Sequence, residues 1–118
     1  MTHTAILTIS LLSAVMCGEA GILSDDAMMD IGHVVLNRVE DDAFPNNVPD
    51  VIEDGFNGYQ EPSLWDRLLA MKVLLRKKAT EFLYALSLQD RLKLGCDEGD
   101  KVWGDPPFQL HLYKEWCG

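Results

Sequence analysis

One carboxylate stands apart from the rest of the chain by its position. Glu19 follows an apolar run over residues 5–17 and is bracketed by Gly18 and Gly21. Thr4 offers an N-cap for a helix through that run, and the two glycines mark its end, where the backbone turns. An acid there adds nothing to helix stability, because the negative end of the macrodipole opposes it. A carboxylic acid kept protonated in apolar surroundings can instead hand its proton to a poor leaving oxygen, the step that glycosidic bond cleavage requires. A conventional two-acid glycosidase also needs a second carboxylate roughly 5 to 9.5 Å away. Asp25 and Asp26 fit a helix start better, while Asp50, Glu53 and Asp54 fall in a connecting loop.

Groups suited to holding a sugar cluster in residues 54–60, a glycine-punctuated stretch that carries Phe56, Asn57, Tyr59 and Gln60. Aromatic faces cover the apolar side of a pyranose, and amides satisfy its hydroxyls. Trp103 could stack in the same way. Asn37, at the end of a helical stretch, is either a ligand contact or a brace for a neighbouring loop. His111 lies in a closing apolar segment, and His3 and His33 are expected at the surface. The three histidines and three cysteines lack ligand spacing, so neither a metal site nor a cofactor is expected.

Helices are needed to position these groups. Residues 5–17 are apolar nearly all round, as in a buried first helix. They carry no preceding Lys or Arg and fall short of the ~20 residues of a membrane span, so neither an export signal nor stable membrane insertion is expected. Ser24, Asp25 and Asp26 begin a second amphipathic helix running to about Glu40. Two prolines and two asparagines in residues 44–50 make a connector, leading into one short turn at Val51 and Ile52. Ser63 with Asp66 forms a capping box opening a helix to about Lys78, ended by the basic run Arg76, Lys77 and Lys78. Residues 79–94 fit both a helix and an alternating strand, with helix favoured by length. Residues 96–105 are polar, and residues 108–113 suit a strand or a final turn.

Apolar residues make up 47% of the 118 and charged residues 25%, enough for one folded domain, 1–118, with its own core. The formal charge of −9, from 19 acids against 10 bases, argues against nucleic-acid binding. Cys17, Cys96 and Cys117 are expected as reduced thiols; whether Cys96 and Cys117 pair is left open.

The block Gly18-Glu19-Ala20, followed 18 positions after Glu19 by Asn37 within Val34-Val35-Leu36-Asn37-Arg38-Val39, resembles the signature of the SleB/CwlJ family of cell-wall hydrolases. Looser resemblances are Phe44-Pro45-Asn46, Gly55-Phe56-Asn57-Gly58-Tyr59, Ala79-Thr80-Glu81-Phe82 and His111-Leu112-Tyr113. Ala27-Met28 stands where the family usually has Gly-Gln, and Leu83-Tyr84 where it has a histidine.

The resemblance implies a predominantly α (α+β), lysozyme-like domain with at most a small β-hairpin. It implies peptidoglycan glycan strands as partner and Glu19 as the catalytic acid and base. Asn37, Phe56, Asn57, Tyr59, Gln60, Trp103 and His111 become the expected substrate contacts. Lytic transglycosylases of this kind use one acid, yielding 1,6-anhydromuramoyl ends. The alternatives are a hydrolytic muramidase using a loop acid such as Asp54, and a non-catalytic wall-binding module of the same fold. A monomer is expected. It would act on the wall after release from the cytoplasm, as phage lysins do, or as part of a larger exported enzyme.

Overall fold

The computed structural model describes residues 2–76 and 79–118. Helix α1 runs His3–Ala20, with Thr2 rather than Thr4 as its cap: the Thr2 hydroxyl accepts from the Ala5 amide at 3.1 Å. By length and composition α1 could cross a membrane. In the folded chain Leu12, Val15 and Met16 on it are fully enclosed, whereas Ile6 and Leu7 near its start are about half exposed. Helix α2, Asp25–Val39, begins at the expected cap, with the Ser24 hydroxyl taking the Ala27 amide. Its residues 30–35 are buried in succession, because α2 is wrapped on several sides. This corrects the expectation for His33, which is buried, while His3 is exposed.

The connector holds a two-turn helix where a single turn was expected. In α3, Val48–Gly55, the Asn47 side chain caps the Asp50 amide, and Pro49 sits in the first turn, where a missing N–H costs nothing. Helix α4, Leu64–Leu75, has the Ser63–Asp66 capping box in both directions. It ends at Arg76, and the expected helix-ending residues Lys77 and Lys78 lie outside the described residues.

Residues 79–94 divide between both candidate structures: strand β1, Tyr84–Ser87, then helix α5, Leu88–Leu94, capped by the Ser87 hydroxyl. Strands β2, Lys101–Asp105, and β3, Phe108–Tyr113, form a hairpin, and β1 adds to its other edge. The antiparallel order is β1-β3-β2, with Leu86 and Val102 both opposite His111. The chain is therefore a mainly α, α+β fold, and its sheet has one strand more than the expected hairpin.

Cys96 and Cys117 are joined, with Cα atoms 5.5 Å apart, which corrects the expectation of three free thiols. Cys96 follows directly on the left-handed Gly95 that ends α5, and the tail beyond β3 turns back to meet it. Cys17 alone remains free.

Candidate functional site

Glu19 occupies the last turn of α1, half-buried. One of its oxygens, Oε1, accepts a 2.7 Å hydrogen bond from the Gly58 amide. The loop after α3 lies directly across the helix end: Gln60 donates its amide to the Ala14 carbonyl at 3.2 Å, and the Cys17 thiol points to Gln60 Oε1 at 3.6 Å. This crossing depends on two glycines. A methyl group on Gly58 would stand 2.7 Å from Glu19 Oε1 and 2.8 Å from the Gly18 carbonyl carbon, and one on Gly18 would strike the Gly58 and Tyr59 backbone. The pairing of Gly18 with a Gly58-containing loop is thus a packing requirement that holds the carboxylate in place.

Beside Glu19 opens a cleft of about 530 Å³. Ile22 and Leu23, from the turn after α1, form one wall; Leu88, Gln89 and Leu92 of α5 form another. The hairpin turn closes it with Pro107, Phe108 and Gln109. Ile22, Leu92 and Phe108 are among the most exposed large apolar side chains of the chain. Among the described residues that line the cleft, Glu19 is the sole ionisable one.

Compared with protein-family models, with curated proteins and with solved structures, the chain matches none.

The expected contacts fall into three groups. Asn57, Tyr59 and Gln60 are exposed on the loop that crosses α1, next to the carboxylate. Phe56 turns the other way, its ring 4.9 Å from the Arg38 guanidinium. Asn37, Trp103 and His111 serve the scaffold. The Asn37 amide nitrogen donates to the carbonyls of Thr80 at 3.0 Å and Phe82 at 2.9 Å, bracing the segment that leads into β1. The Trp103 indole donates to Asp30 at 2.7 Å, with the Lys101 ammonium over its ring. His111 is fully enclosed, its ring nitrogens 2.8 Å from the Glu98 carbonyl and 3.2 Å from Gln109 Oε1.

Asp54, the candidate second acid, lines a different cleft, shared with Arg38. The Cys17 thiol is pushed up from its ordinary pKa by burial, with a hydrogen bond to Asp66 and that residue's charge adding to it. It is therefore a poor nucleophile. No group of histidine, cysteine and acidic side chains among the described residues is arranged to hold a metal.

The cleft walls were not anticipated from the sequence. Their only local trace is the Leu88–Leu92 pair, one helical turn apart with Leu92 exposed. Ile22 lies in the turn after α1 and Phe108 at the first position of β3, and neither belongs to a pattern that would mark it as a cleft wall.

Proposed function

We propose that this protein cleaves the glycan strands of peptidoglycan between N-acetylmuramic acid and N-acetylglucosamine, by lytic transglycosylation. The observation that carries the reading is a lone carboxylate in an apolar-walled cleft. A one-acid reaction needs nothing more, whereas a two-acid hydrolase would lack its partner there. With Oε1 held by Gly58, the carboxyl group is fixed in orientation and its other oxygen is left for the sugar.

In the first step protonated Glu19 gives its hydrogen to the glycosidic oxygen, and the bond from muramic C1 to that oxygen breaks. The resulting carboxylate then takes the proton from the same sugar's C6 hydroxyl, whose oxygen bonds to C1 and closes the 1,6-anhydro ring. Glu19 is left protonated again. Phe108 at the cleft rim offers a face for a pyranose, and Asn57 and Gln60 supply amides beside the acid. The resemblance of Gly18-Glu19-Ala20 and the Asn37 block to the SleB/CwlJ signature supports the same assignment. The disulfide suits action outside the reducing cytosol.

Mass spectrometry of the fragments released from purified cell walls tests this. The protein should release anhydro ends, and Glu19→Gln should lower the rate at least about 100-fold, the usual loss on removing a positioned acid. Reducing ends would favour the hydrolytic alternative, and undiminished release by the variant would remove Glu19 from the chemistry altogether.

A further inference from the structure

A second cleft, of about 480 Å³, is lined in part by Asp54 and Gly55, which lead into the loop that holds Glu19. Its floor is Arg38, only 8% exposed despite its charge. The Nε–H donates to the Leu83 carbonyl at 2.7 Å, and the rings of Phe44 and Tyr84 flank the guanidinium at 4.8 and 5.5 Å. Among the described residues no carboxylate stands within ion-pair distance of it, and its terminal nitrogens have no hydrogen-bond partner. A methyl group on Gly55 would collide with Nη1, so that glycine is what allows the guanidinium to reach the cleft.

Burial lowers the Arg38 pKa from its ordinary value, and Tyr84 and the charge of Asp54, acting from beyond ion-pair distance, oppose that shift without cancelling it; the aromatic faces likewise offset only part of the cost of burial. Its planar fork is the group best matched to a carboxylate. The same cleft carries one acid, Asp54, exposed and not in ion-pair contact with Arg38. An incoming simple anion would be repelled by Asp54, whereas a ligand bearing both charges would satisfy both walls. Trp116, half exposed and 5.3 Å from the Tyr84 ring, closes one side against a short aliphatic stem.

We propose that this cleft binds a free amino-acid head, its carboxylate on Arg38 and its ammonium on Asp54. Gly55 packs on Arg38 and Gly58 holds Glu19, so the two glycines that seat these side chains are three residues apart, their Cα atoms at most about 11 Å from each other. A peptide branch on a sugar bound at Glu19 could reach this cleft. Resting on the cell-wall reading, the ligand in the working complex is then a stem peptide whose diamino acid ends in a free ammonium and carboxylate on one carbon.

The test follows the Trp116 indole and Arg38 Nε cross-peaks by NMR while the whole protein is titrated with D-alanine, D-alaninamide and N-acetyl-D-alanine. D-alanine should shift both peaks saturably in the millimolar range, and the two analogues, each missing one charge, should bind at least about tenfold more weakly. Asp54→Asn, at an exposed position where folding is not at stake, should weaken D-alanine by a similar factor and leave N-acetyl-D-alanine unchanged or tighter. A flat titration, or equal affinity for all three compounds, would overturn the proposal. These titrations involve no glycan, so a flat result alongside normal release of anhydro ends removes only the amino-acid site. Loss of release with D-alanine binding intact removes only the glycan-cleavage reading.

Discussion

The helical part, α1 to α4, and the C-terminal part from residue 79 onward are held by different physics. Of the buried apolar cluster, only Leu110 and Leu112 come from the C-terminal part; every other member lies on α1, α2, α3 or α4. The C-terminal part is instead fastened at points. Asn37 and Arg38 of α2 hold the carbonyls of Thr80, Phe82 and Leu83. Asp30 of the same helix holds the Trp103 indole and, at 2.9 Å, the Lys101 ammonium. The disulfide closes the rest on itself. The candidate acid belongs to the first part and most of the cleft's apolar wall to the second, so the site lies on the seam. Its geometry thus depends on those few polar fastenings on α2, together with the packing of Leu110 and Leu112 into the core.

The disulfide is where this contrast can be broken most forcefully. Its two cysteines are 21 positions apart, and removing a loop constraint of that length costs about 3 kcal/mol. Replacing both with serine should lower urea stability by about that amount. Hydrogen exchange should quicken mainly in β1, α5, β2 and β3, with α1 and α2 amides retaining protection. Uniform loss of protection would mean that the two parts unfold as one unit and that the distinction is false.

Asn37→Ala comes next. It strands the Thr80 and Phe82 carbonyls without touching the apolar cluster, and leaving partly buried acceptors unpaired costs about 2 kcal/mol. The urea midpoint should fall accordingly. Glycan release should fall further than stability alone explains, because β1 leads directly into the α5 wall of the cleft. If stability falls and release does not, the seam is not what shapes the site.

The same contrast explains how much was legible beforehand. Helices α1, α2 and α4 carry long apolar periods and hydroxyl caps, so their existence and most of their boundaries follow from spacing alone. Thr2, the cap in the structure, and Thr4 stand at the same polar-to-apolar transition, so sequence alone does not separate them. Strand β2 left no period-two signal, since Lys101, Val102, Gly104 and Asp105 are all exposed and only Trp103 turns inward. The mixed signal over residues 79–94 was a strand followed by a helix, each too short to dominate a window. That Glu19 falls at the end of α1 was legible from the glycines around it. The walls of its cleft were not, because they converge from a turn, a short helix and a hairpin far apart in sequence. Nor was the role of Arg38: a charged residue at a helix end is usually solvated, and only the fold surrounds it with three rings.

The smallest expected effect sharpens the comparison from the helical side, whose sensitivity is to protons rather than to fastenings. His33 is buried among the helices with its Nδ1 unpartnered. Burial lowers its pKa below the ordinary 6.5; the charge of Asp30 opposes this, and that of Arg76 adds to it. The folded chain therefore refuses a proton that the unfolded chain accepts. Stability from this residue is fully present above about pH 6.5 and declines as the pH falls from there toward the lowered folded value. One proton limits the slope to about 1.4 kcal/mol per pH unit. Urea midpoints taken at about pH 7 and pH 5 should differ more in the parent protein than in His33→Gln, which keeps a polar side chain but does not titrate. Asp30 links this to the other part of the molecule, since it is also the anchor for Trp103 and Lys101. Lys101→Met should leave that carboxylate's charge less compensated and so favour the protonated imidazole, making the acid decline shallower. A decline no shallower than the parent's would show that Asp30 does not act on His33 in this way, and that the fastening and the pH response are separate features of α2.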